Sequence, residues 1–182
     1  MRNVLGAWVF VVAAVLGGCG DDNNNNNTKR EYFYYGTNTT RTPGGMTIGS
    51  GETLLHRTFD PPMSRIHEDV TTNDPMMGVQ ENDLVFAVTG STFVISGGLT
   101  GTGTLTGAPW SWTSWTAMGS QNGLDIKSVS TIDPQAVHVQ LDLSSGGTLM
   151  FTVIQDLKAV SQADWSARRA LWTAPTDGGT GG

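Results

Sequence analysis

The sequence predicts an all-β fold, an antiparallel up-and-down meander followed by one short helix, and three observations carry that prediction. Short runs rich in β-branched and aromatic residues recur along residues 31–157. Gly, Pro, Asn and Asp interrupt them at the roughly 8–12-residue spacing of a sandwich or barrel. No helical apolar period appears among them; the first helix signal comes only at residues 161–172. With 182 residues, 38% of them hydrophobic and 14% charged, the chain suits one ordinary domain with tails.

The N-terminal segment reads as an address. Arg2 supplies a short positive region, and residues 4–16 (VLGAWVFVVAAVL) form an apolar run shorter than the ~20 residues of a membrane span. It leads into Leu16-Gly17-Gly18-Cys19, which resembles the lipobox of bacterial lipoproteins. The resemblance implies a signal peptide over 1–18 and a diacylglyceryl thioether on Cys19. It further implies attachment to a membrane of the bacterial cell envelope, on the outer-membrane or periplasmic side rather than in the cytoplasm. An ordinary secretory leader with an incidental cysteine, or an uncleaved anchor, is the alternative. Residues 19–30, with the five asparagines Asn23 to Asn27, are too polar to bury a face and read as a disordered tether. Because Cys19 is the one cysteine, an internal disulfide framework and a cysteine-rich zinc site are excluded.

Nine strand-like runs follow, over 32–40, 47–59, 64–72, 83–96, 99–107, 110–118, 124–132, 136–143 and 148–157. In the first run of the GTGTLTGAPWSWTSW stretch, Thr102, Thr104 and Thr106 alternate with glycines, which suits a bent strand and empties a helix. Pro109 then opens a run in which period two sets Trp110, Trp112, Ser114, Thr116 and Met118 on one face and Trp115 on the other. A hairpin closing at Asn122-Gly123 is expected to pair Met118 with Leu124 and Trp115 with Lys127, leaving Trp115 on an outer surface. Val137, Val139, Leu141 and Leu143 form a half-buried face. Matching it to Leu149, Phe151 and Val153 sets Leu143 opposite Leu149 around a three-residue loop, Ser145-Gly146-Gly147.

The helix over 161–172 begins at Ser161, with Asp164 at the capping-box distance, and carries Trp165, Arg168, Arg169 and Trp172 on one flank. Residues 31–173 are thus one domain, and the Thr/Gly-rich tail at 174–182 reads as disordered. A strand meander with one C-terminal helix resembles the lipocalin-like, or calycin, barrels, and the GTGTLTGAPWSWTSW run is similar to a stretch of lipocalin-like bacterial proteins without assigned chemistry. The resemblance implies a barrel whose interior either packs solid or holds one small apolar ligand.

Few residues point to chemistry. Around Asp60-Pro61-Pro62-Met63, a loop centred on the prolines places His56 opposite His67, a weak metal pair lacking any HxH or HExxH spacing. Arg57 and Glu68 share the apolar face of that hairpin with Leu55, Phe59, Ile66 and Val70, so inside a barrel they form a charge pair that either plugs one end or orients a ligand. The two histidines are then expected to face solvent. There is no GxSxG and no phosphate-loop lysine, so no enzyme and no cofactor is expected. A net charge of -6 without basic clusters gives nucleic acid no electrostatic footing. Met76-Met77 reads as a cover for a barrel mouth rather than a copper site. Two functions fit: a membrane-tethered barrel binding a small apolar or amphipathic molecule, lined by Trp110, Trp112, Phe86 and Phe151, or a structural envelope lipoprotein with a packed interior.

Overall fold

The computed structural model describes residues 28–74 and 78–173, so Cys19 with its leader, the tether up to residue 27, the Met76-Met77 pair and the 174–182 tail lie outside the described residues, while Arg30, read as tether, opens the first strand. Within them the fold is all-β: β1 (Arg30–Arg41), β2 (Thr47–Asp60), β3 (Arg65–Asp74), β4 (Gly78–Thr89), β5 (Thr92–Gly97), β6 (Thr100–Ala108), β7 (Ser111–Gln121), β8 (Leu124–Thr131), β9 (Ala136–Ser145) and β10 (Thr148–Ala159), then α1 (Gln162–Thr173). Each strand pairs antiparallel with its sequence neighbours, and β1 pairs with β10 to close a barrel. The run at 83–96 is two strands, because Gly90 takes a positive φ and turns the chain so that Thr89 pairs with Thr92.

Three hairpin registers differ from the sequence expectation, and each difference comes from the turn. At Asn122-Gly123 both residues adopt positive φ, the requirement of a two-residue primed turn, so Gln121 pairs with Leu124. Met118 therefore faces Lys127, and Trp115 faces Ser130 rather than Lys127. A shift by an odd number of residues exchanges the faces of a strand. Accordingly Trp115 lies inside the barrel at 3% exposure, and Met118 lies outside at 59%. Trp112 also points inward, since the β6–β7 pairing slips at Thr106/Gly107 and resets the alternation. Trp110 is not on the strand; it occupies the preceding turn with a φ of 60°.

Gly146 and Gly147 likewise make a two-residue turn, with Ser145 opposite Thr148. A bulge between Leu149 and Phe151 then sets Phe151, not Leu149, opposite Leu143 and leaves Leu149 and Met150 exposed. Between β2 and β3, Pro61–Met63 form a 3-10 turn, Asp60 accepts a hydrogen bond from the Met63 amide at 3.2 Å, and Ser64 ends it in the left-handed region. This loop places His56 opposite Asp69 and His67 opposite Thr58. Arg57 stands opposite Glu68.

The Gly/Thr alternation of β6 has a packing cause. Its threonines face outward and its glycines inward, where a Cβ on Gly103 would collide with the Phe93 ring and with the Thr116 carbonyl. The empty position admits an aromatic ring into the core.

Helix α1 is capped as expected: the Asp164 amide donates to Ser161 Oγ at 3.1 Å, and Ser161 Oγ donates to Asp164 Oδ2 at 2.8 Å. It lies on the outside of β1 to β4. Trp165 packs edge-on against Phe33 and His56, at 5.7 and 5.8 Å between ring centroids. Arg168 sits 3.9 Å over the Tyr35 ring, and Arg169 pairs with Asp69 and with Glu81. Leu54 and Thr71 lie between these points in the register, which accounts for their complete burial on the outward face of the sheet. Among the described residues no helix is long and apolar enough to cross a membrane.

Candidate functional site

The barrel interior is divided across its length by a charged layer. Arg57 is completely buried at 0% exposure and Glu68 is at 6%. Arg57 Nε donates to Glu68 Oε1 at 2.6 Å, Nη1 to the Thr131 carbonyl at 3.3 Å and Nη2 to Ser130 Oγ at 3.3 Å. Its guanidinium also lies 4.4 Å from the Trp115 ring centroid and 6.0 Å from that of Tyr34. A buried cation is tolerable only when its donors are satisfied, and here every guanidinium nitrogen has an acceptor.

On one side of this layer the interior is filled. Phe59, Ile66, Phe86, Val88, Phe93 and Trp112 form a continuous apolar cluster against which Tyr32, Trp110 and Ile132 pack. Tyr34 donates its hydroxyl to the Asp133 carbonyl at 2.9 Å, and burial pushes its phenol up to about 12. A small recess of about 200 Å³ remains at this end, between Arg30, Tyr32, Phe59, Trp110, Trp112 and Pro134.

On the other side the interior is open. A cavity of about 410 Å³ runs from Glu68, Phe86 and Trp115 at its floor to Asp74, Gln80, Gln121 and Asn122 at its rim. Leu55, Val70, Ile95, Ile126, Val139 and Leu141 make most of its wall apolar. Thr72, Asn82 and Ser128 are among its polar positions, and a polar shelf adds to them: Asn38 Nδ2 donates to Thr53 Oγ1 at 3.2 Å, and Gln155 Nε2 reaches the same oxygen at 3.5 Å. The volume falls within the ~300–1,000 Å³ of small-molecule sites, and a largely apolar wall with few placed polar groups is the usual composition of one.

The residues singled out from sequence are distributed unevenly over these regions. Phe86 and Glu68 line the cavity, while Arg57 lies behind Glu68. Trp110 and Trp112 belong to the filled end, and Phe151 is not in the cavity wall, so of the expected aromatic lining Phe86 remains and Trp115 joins it. The misplacement follows from the turn at Asn122-Gly123 and the slip at Gly107, which together turn Trp115 inward. Asn38 and Gln155 were not anticipated at all; a polar residue at an inward strand position after Tyr34 and before Leu157 is their one sequence signal.

His56 and His67 do not meet as a ligand pair. His67 pairs with Asp83, whereas His56 stacks on Phe33 at 4.4 Å between centroids and is half-buried under α1, not facing solvent. That burial holds the His56 imidazole below its ordinary value, against the opposing pull of Glu31 and Asp69. Among the described residues no group of three or more His, Cys, Asp or Glu side chains is placed to hold a metal ion. Comparison with models of known families gives no match, and no curated protein matches the chain significantly.

Proposed function

We propose that this chain is a lipid-anchored protein of the bacterial cell envelope whose lipocalin-like barrel binds a small apolar or amphipathic molecule, without catalysis. The observation that supports binding is the cavity of about 410 Å³, open at one end and walled mainly by aliphatic side chains. Anchoring rests on Leu16-Gly17-Gly18-Cys19 and on the polar tether behind it. Several acyl chains on one cysteine would hold the barrel at the membrane, each buried methylene contributing about 0.8 kcal/mol.

Trp115 in the floor is a built-in reporter of occupancy. Titration with an uncharged amphiphile such as dodecanol should change tryptophan fluorescence saturably, and the change should need more ligand in an Ala117→Leu variant that narrows the cavity. A linear, non-saturating response would favour the structural lipoprotein reading. For the anchor, Cys19→Ala should abolish incorporation of a labelled fatty acid; unchanged labelling would remove the lipoprotein reading.

A further inference from the structure

The charges around the cavity restrict the ligand further, given that the barrel binds one. Glu68 at the floor and Asp74 at the rim are the charged side chains in the lining; no lysine or arginine is among the lining residues. Arg57, the cation nearest to the floor, is screened from the cavity by Glu68, and its three nitrogens are committed to Glu68, Thr131 and Ser130. The polar shelf has the same sense. Asn38 and Gln155 each turn one amide N–H onto Thr53 Oγ1, and their carbonyl oxygens add acceptors to the wall. A carboxylate or phosphate head group would therefore meet a carboxylate at either end of the cavity and only neutral groups between them. It would lose its hydration without gaining a cationic partner, since the hydroxyl and amide groups of Thr72, Asn82 and Ser128 are neutral.

We propose that the cavity takes an amphiphile bearing a protonated amine, its alkyl or ring body against Leu55, Val70, Val139 and Leu141 and its ammonium group at Glu68. One carboxylate can serve both cations, because Arg57 Nε occupies Oε1 and a carboxylate has acceptor sites on both oxygens. The rim carboxylate and the net charge of -6 also favour approach of a cation over an anion.

The test compares three probes with one tail: dodecylammonium, dodecanol and dodecanoate, each titrated against tryptophan fluorescence and by calorimetry near neutral pH. Dodecylammonium should bind at least roughly tenfold tighter than dodecanol, the scale of one charge-assisted hydrogen bond, and dodecanoate weakest. Glu68→Gln should remove the ammonium preference while dodecanol binding persists. Because that variant leaves Arg57 buried without its partner, the double variant Arg57→Met with Glu68→Leu serves as a control that keeps the layer filled. It too should bind dodecanol and show no preference for the amine. Dodecanoate binding best, or an amine preference that survives both variants, would overturn the inference and leave the binding barrel standing. Saturable binding of none of the three would overturn both.

Discussion

The two ends of the barrel are built by the same strands with the same inward–outward alternation, yet one is solid and the other hollow. The difference lies in side-chain volume on either side of the Arg57–Glu68 layer. At the filled end the inward positions carry Phe59, Ile66, Phe86, Phe93 and Trp112, and Gly103 is left without a side chain so that Phe93 fits. At the hollow end they carry Thr72, Val70, Leu141, Val153, Ala117 and Ser128, which cannot reach across a ten-strand circumference. Closing more strands widens a barrel roughly in proportion, so only large side chains fill it. The filled end supplies a rigid base, and the cavity is the volume that aliphatic side chains leave above it.

The sharpest way to break this contrast is at the boundary. Arg57→Ala should cost about 3–5 kcal/mol in urea unfolding, since Glu68 is left buried without its cation, and the paired apolar replacement should recover most of it. Loss of less than about 1 kcal/mol would mean that the layer is not the structural divide described above.

Next, the two ends should respond differently to truncation. Trp112→Ala should cost about 3–5 kcal/mol while leaving ligand binding above the layer intact, whereas Leu141→Ala, whose side chain already borders a void, should cost about 2 kcal/mol or less and weaken binding. Equal costs would remove the distinction. Filling the hollow end is milder still. Ala117→Leu adds volume where space exists, so its stability should change by less than about 1 kcal/mol while ligand binding weakens.

The smallest effect concerns the outer face under α1. The fold holds His56 below its ordinary 6.5, so the unfolded chain takes up the proton first as pH falls. The stability this residue contributes is complete above the ordinary value and is lost as pH falls through the lowered folded one. Urea midpoints measured at about pH 8 and about pH 5 should therefore converge in His56→Phe relative to the parent chain. A pH dependence identical in the two proteins would detach His56 from the docking of the helix.

Much of the architecture was legible because alternation, turn residues and the Ser161 cap are local signals. The buried Arg57–Glu68 pair was legible too, since both residues sit on an unmistakably apolar hairpin face. Register was not. Two of the three misjudged hairpins assigned too many residues to the turn and the third centred it one residue early, and in β7 a shift of three positions moved Trp115 from the expected outer surface to the cavity floor. The site inherits that error, because which indole lines the cavity depends on counting residues through Gly107 and Asn122-Gly123. Burial of His56 depended on where α1 docks, a long-range contact that no local pattern encodes.

The pairing of β1 with β10 has a consequence for how the molecule comes into being. Until the last strand arrives, β1 presents an unpaired edge, with Tyr34, Gly36 and Asn38 awaiting partners in Ala159, Leu157 and Gln155. The dividing layer is equally late, since Arg57 finds Ser130 at a separation of 73 positions. A chain whose contacts are this non-local folds on the slow side, in the millisecond-to-second range typical of all-β topologies, and stays open to edge-to-edge association meanwhile. Growth of the chain from its N-terminus therefore leaves open sheet edges until β10 pairs with β1, and truncation before β10 should yield aggregate rather than a smaller domain.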